Sequence, residues 1–218
     1  MECFKETIAK DELLKHSTDE RLGDDGFLTR FLRAGCWRVE AALPILKTYS
    51  SLGQEYECYV SRAIPTRLIK RYLILKNTSL YYRLDCVYNA KINAMSDMRD
   101  KYGRRIYIFR LGQWDPDKVL LEDFYASAYI FFEMIAREVK TQIAGVTVIN
   151  DVTGFGFKHL RHCGLEQMRA IITFMNGGFP LWFRKIHVVN QPRLFGVLFN
   201  MIKPFLDERI KENIMFHG

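Results

Sequence analysis

The chain has 218 residues, 49% of them apolar and 14% aromatic, and a formal net charge of +7. That length fits one large domain, or a small helical piece followed by a larger α/β one. It contains no apolar run of the eighteen or so residues a bilayer span needs, the first six residues lack the apolar core of a secretory signal, and five scattered cysteines at 3, 36, 58, 86 and 163 suit a reducing cytosol better than a disulfide framework.

Residues 1–22 are polar and helix-permissive and read as a fraying helix. Asp24-Asp25-Gly26 forms an N-cap signal, after which Phe27, Leu28, Phe31 and Leu32 fall on one helical face with Arg30 and Arg33 on the other side. Trp37, Val39, Ala42, Leu43 and Leu46 repeat the spacing around a kink expected at Pro44. The first sixty-odd residues are therefore a helical bundle with no strand signal. From Leu73 to Met95 no clean period can be read.

Strands are expected from Arg105 to Leu111, from Val146 to Asp151 and from Ile186 to Asn190, each short and rich in β-branched or aromatic residues. One long helix is expected from Glu122 to Thr141, with Phe124, Ala128, Phe131, Phe132, Ile135 and Val139 on its apolar side, and another from Leu165 to Met175. Residues 154–157 read as loop. Pro192 suits the first turn of a last helix whose Leu194, Phe195, Val197, Leu198, Phe199, Met201, Ile202 and Phe205 are apolar almost all round. Such a helix needs cover on more than one side: a sheet on one, and another helix, a membrane or a bound apolar molecule on the other. Strands alternating with helices predict an α/β domain with a mainly parallel sheet.

Enzyme motifs are incomplete. Gly154-x-Gly156 lacks the third glycine of a dinucleotide loop, and neither a phosphate-cradling Gly-x-x-x-x-Gly-Lys nor a Gly-x-Ser-x-Gly elbow occurs. His159, His162 and Cys163 lack a fourth ligand at metal spacing, so a solvated loop before a helix is the simpler reading. Asp151 ends a strand, where catalytic carboxylates often sit, although a lone acid there more commonly caps a loop. An α/β enzyme using Asp151 and a histidine is thus one alternative. A nucleic-acid binder, motivated by the +7 charge, is a weaker one without a recognition fold or basic stripe. The aromatic residues as a set exceed what a small sheet needs for cover and point to an apolar cavity. Burying some 400 Å² of a lipid tail at about 25 cal/mol/Å² is worth roughly 10 kcal/mol before binding costs.

At this point the order and spacing of several motifs become informative. Asp25-x-Phe27-Leu28-x-Arg30-Phe31-Leu32-Arg33-Ala34, Gly103-Arg104-Arg105, Trp114-Asp115-Pro116, Gly145 with Asp151 and Gly154, Phe179-Pro180, Asn190-x-Pro192, Lys203-Pro204-Phe205-Leu206 and His217-Gly218 resemble the CRAL-TRIO lipid-binding family. Within it they are most similar to the branch of α-tocopherol transfer protein, cellular retinaldehyde-binding protein and the clavesins. The resemblance implies a helical N-terminal domain over 1–72, a divergent linker over 73–95, and an α/β lipid-binding domain with a helical gate over 96–218, ending where relatives continue through a further segment. It implies no catalysis and no cofactor or metal. The function it implies is binding and intracellular transfer of a small tocopherol- or retinoid-like lipid, with docking of a cytoplasmic monomer to phosphoinositide-containing membranes and no nucleic acid partner.

Carried over by position, the pocket wall would comprise Phe109, Tyr125, Ala128, Phe131, Phe132, Asn150, Phe155, Phe174, Met175, Phe179, Leu181, Ile186 and Ile202. Asn150 stands where tocopherol-binding members are apolar, and an amide there would want a lipid with a hydroxyl or carbonyl end. For phosphoinositides, Arg184 and Arg209 match basic positions of the family, with Arg33, Lys185 and Lys211 able to add charge nearby.

Overall fold

The computed structural model describes residues 1–17, 19–55 and 87–217. Asp24 accepts a hydrogen bond from the Gly26 N–H at 2.7 Å and so opens α2 (Asp25–Ala34), as its Asp-Asp-Gly start predicts. Helix α1 (Glu2–Lys10) buries Phe4 and Ile8, one turn apart. Helix α3 (Val39–Glu55) continues through Pro44 and buries Ala42, Leu46, Tyr49 and Leu52. Together α1, α2 and α3 make the expected helical piece. Arg30 departs from expectation. It is buried rather than outward, with its guanidinium 4.4 Å from the centre of the Phe27 ring and 3.6 Å from the buried Glu133 carboxylate. A buried acid on another helix draws it inward.

The rest is built on β1 (Asn93–Arg99), β2 (Arg105–Arg110), β3 (Val146–Asp151), β4 (Phe183–Val189) and β5 (Ile214–Phe216). These form a five-stranded sheet in sequential order, antiparallel between β1 and β2 and parallel thereafter. The fold is therefore α/β with a mainly parallel sheet. Strands β1 and β5 were not expected. Residues 93–95, assigned to a linker by sequence, open β1 and pair with Phe109, Ile108 and Tyr107, because an antiparallel partner needs only a tight turn, here Asp100–Gly103. Of the rest of the unread stretch, residues 73–86 lie outside the described residues, and Val87 and Ile92 are fully buried.

The long helix expected over 122–141 is two helices, α4 (Leu121–Ile135) and α5 (Val139–Ala144). Glu138 takes an extended backbone between them, and its carboxylate receives Arg99, Arg105 and Thr141. Holding two arginines from the sheet anchors the break without proline or glycine. Gly145, at φ +89°, then turns the chain into β3, a conformation that would strain any other residue. Between β3 and β4 come α6 (Phe157–Arg161), in a stretch read as loop up to residue 157, and α7 (Leu165–Met175). Between β4 and β5 come α8 (Arg193–Ile202), with Pro192 as its N-cap residue, and α9 (Glu208–Lys211).

The period of two along each strand divides the sheet. Tyr107, Phe109, Val148, Asn150, Ile186 and Val188 share one face, in register across β2, β3 and β4. Because right-handed crossovers between sequential parallel strands all fall on one side, α4, α7 and α8 cover that face.

Candidate functional site

Between the covered face of the sheet and helices α4, α7 and α8 lies a cavity of about 190 Å³. It is larger than the roughly 150 Å³ apolar void that accommodates benzene. Tyr107 and Phe109 of β2, Val148 and Asn150 of β3, and Ile186 and Val188 of β4 form its floor. Phe124, Tyr125, Ala128 and Phe132 of α4 form one wall, and Ala170, Ile171, Phe174 and Met175 of α7 another. Phe195, Leu198, Phe199 and Ile202 of α8 form a third, at the i, i+3, i+4, i+7 spacing of one helical stripe. Among the described residues, no Asp, Glu, Lys, Arg or His lines it.

The polar groups in the wall are few and mostly occupied. Tyr107 Oη donates to Asn93 Oδ1 at 2.6 Å, and burial holds this phenol well above its ordinary pKa. Trp114 Nε1 donates to the Val119 carbonyl at 2.8 Å. Burial pushes the Cys163 thiol up to about 11, so it stays protonated and unreactive near neutrality. Asn150 differs: its Oδ1 is buried and has no hydrogen-bond partner among the described residues.

Of the expected wall residues, Phe109, Tyr125, Ala128, Phe132, Asn150, Phe174, Met175, Ile186 and Ile202 line the cavity. Phe131, Phe155, Phe179 and Leu181 do not. Phe131 is one position from Phe132 on a helix, about 100° round, and packs on Tyr88 and Tyr107 instead. Phe155 stacks on His159, 5.2 Å between ring centres. Phe179 is buried among Tyr49, Tyr129, Phe132 and Phe174, and Leu181 is buried outside the cavity. Sequence reasoning missed Tyr107, Val148 and Val188, although strand alternation from Phe109, Asn150 and Ile186 would have found them. Leu198 and Phe195 were equally reachable by helical spacing from Ile202.

The basic candidates are dispersed. Register places both Phe183 against Val146 and Lys185 against Thr147, so Arg184 is the extra residue of a β-bulge. Its guanidinium lies 3.8 Å from the centre of the Trp182 ring, whose Nε1 donates to the Ala34 carbonyl. Burial, and then Arg104, hold Arg184 below its ordinary pKa. Arg33 donates to Gln142 Oε1, and Lys211 pairs with Glu208 at 2.9 Å. Arg209, on α9, and Lys185, on β4, make no ion pair among the described residues.

Asp151 lies on the reverse face from Asn150 and caps a loop. Its Oδ1 accepts from the Thr153 N–H and hydroxyl and from Asn190 Nδ2, and with Thr153 as the main cause its pKa is lowered. His159 has both ring nitrogens engaged: Nδ1 accepts from the Gly156 N–H and Nε2 faces the Trp114 carbonyl, each at 2.9 Å. The alternative built on Asp151 and a histidine therefore finds its acid employed as a cap and its buried imidazole held by backbone.

On the outer side of α8 and of the 3₁₀ turn that follows it (Lys203–Phe205), Val197, Met201 and Phe205 repeat every four residues and are 50%, 48% and 66% exposed. This stripe has no cover among the described residues. No described helix is long and apolar enough to cross a membrane.

Residues 89–218 match the family model of the CRAL/TRIO domain. The chain is 27% identical over 195 residues to the mouse (Mus musculus) alpha-tocopherol transfer protein-like, and 27% identical over 196 residues to rat (Rattus norvegicus) clavesin-1. Each alignment covers 89% of this chain and 52% or 51% of the relative, so the chain spans about half the length of the curated relatives it matches. The crystal structure of Sfh5 is similar in fold, with a TM-score of 0.58 at 14% identity over 99% of this chain and 77% of that one.

Proposed function

From the premise that this chain belongs to the CRAL/TRIO domain family, we propose that it binds one small hydrophobic lipid and carries it between intracellular membranes. The observation that carries this reading is the uncharged cavity walled by α4, α7 and α8 over the sheet. A dry apolar hollow gains from an apolar guest and offers an ion nothing. The name of the mouse relative, alpha-tocopherol transfer protein-like, points the same way. Tocopherol- or retinoid-like molecules fit the proposal by chemistry.

Membrane docking completes it. The exposed stripe of Val197, Met201 and Phe205 would enter the interface, while Arg184 and Arg209, supported by Lys185, Lys211 and Arg33, would meet phosphoinositide headgroups. Arg184 sits at the bulge near the amino end of β4, and α9, which carries Arg209, leads into the amino end of β5.

Two measurements test it. Native mass spectrometry of protein recovered from a lipid-rich extract should show one bound lipid, lost in a double variant Ala128→Trp/Val148→Trp that fills the hollow. Absence of any lipid in the wild type, or equal retention by the filled variant, would overturn the proposal. Flotation with vesicles containing phosphoinositides should recover the wild type and release Arg184→Ala/Arg209→Ala. Equal flotation of both would remove the headgroup role.

A further inference from the structure

We infer that the lipid carries a hydroxyl group and that Asn150 selects it. The inference rests on the lipid-binding reading above and names the class of ligand that reading leaves open. Asn150 stands on the cavity floor with Phe109 and Val188 as its register neighbours on either side, so its amide is the polar point in an apolar row. Its Oδ1 is buried without a partner among the described residues.

The neighbours cannot supply what is missing. Tyr107 is committed to Asn93, which also donates to Ser127 at 2.6 Å, and Trp114 is committed to Val119. Tyr125 is not free. Cys163, kept protonated by burial, is a weak donor. A buried amide left open in this way is unfavourable, and a guest that closes it binds better by roughly tenfold to a hundredfold.

The wall then sorts the possible head groups. A carboxylate, phosphate or ammonium would enter a cavity with no Asp, Glu, Lys, Arg or His among its described lining residues to pair with, which disfavours ionised heads in its interior. A plain hydrocarbon leaves Asn150 as it is. An aldehyde or ketone can accept from the amide nitrogen but brings no proton for Oδ1. A hydroxyl donates to Oδ1 and can accept from the nitrogen as well, whichever way the amide lies.

The test uses four probes of one chain length, 1-dodecanol, dodecanal, dodecane and dodecanoate, added singly to the purified full chain and to Asn150→Leu, with bound probe quantified by mass spectrometry after gel filtration. Dodecanol should bind the wild type at least about tenfold better than dodecane, and dodecanoate least of all. In Asn150→Leu the preference for dodecanol over dodecane should disappear. If the wild type retains none of the four, the lipid-binding reading and this inference fall together. Retention of all four to the same extent, or an Asn150→Leu protein that still favours dodecanol, leaves the lipid reading standing and sinks the hydroxyl inference alone. The wild-type series decides the question even if the variant does not fold.

Discussion

Helix α4 presents side chains in two directions, and the two regions they meet are opposites. Toward the N-terminal helices, Tyr129 and Glu133 close a solid seam with Tyr49, Phe179 and Arg30. Tyr49 donates to Glu133 at 2.7 Å and receives Arg21 at 3.0 Å, so a charged and hydroxylated knot sits inside stacked rings. Toward the sheet, Tyr125, Ala128 and Phe132 face the hollow. Aromatic richness alone therefore does not specify a void. The difference lies in what stands opposite: a closing polar partner across the seam, and Val148, Asn150 and Ile186 too far back to fill the space.

The largest expected effect comes from breaking the seam. Glu133→Ala strands a buried Arg30 and leaves Tyr49 without its acceptor, at a cost of about 3–5 kcal/mol. For a chain of this size that is a fall of roughly 6–20 °C in Tm, read by thermal denaturation. An unaltered melt would mean that the knot is not buried in solution.

A matched pair of substitutions sharpens the contrast. Ala126 is fully buried in solid packing and Ala128 faces the cavity, two positions apart on one helix. Ala126→Leu should overpack and cost about 1–3 kcal/mol, whereas Ala128→Leu should be close to neutral because its added atoms enter empty space. Equal losses at the two positions would erase the distinction between seam and hollow.

The smallest effect is electrostatic and belongs to His159, behind Trp114 and outside the cavity lining. Burial holds the His159 imidazole below its ordinary pKa, and protonating Nδ1 would displace the Gly156 N–H it accepts. The unfolded chain then binds the extra proton more readily, so stability is complete above the ordinary imidazole pKa of about 6.5 and declines as pH falls below it. Melting temperatures taken from pH 7.5 to 5.5 should fall, and less steeply in His159→Gln. A melt that rises on acidification contradicts this sign.

Much of the fold could be read in advance because its signals are local. The β-branched runs at Ile106–Phe109, Val146–Ile149 and Ile186–Val189 are strands, and Asp24 caps the helix it precedes. Strand β5 escaped because Ile214–Phe216 is three residues long, and β1 because Asn93–Arg99 takes its conformation from pairing with β2 rather than from any alternation of its own. The break at Glu138 depends on arginines from distant strands, which no helical period records. Site legibility followed the same division. The cavity-facing residues repeat at strand or helix spacing, yet Phe131 and Phe132 cannot be told apart until the rotation of α4 is known. Arg30 looked outward for the same reason, since its partner Glu133 is a hundred residues away.

The strictly sequential order of the strands has a bearing on how the chain acquires its shape. Each unit leaving the ribosome can add itself beside the one made just before, with no slot held open for a later arrival. The chamber would then be roofed last, by the helix after β4, and sealed along its side when Ile214 aligns with Ile186. A nascent chain halted before that helix would present a partly roofed greasy floor to the cell, and would be the intermediate most in need of a chaperone.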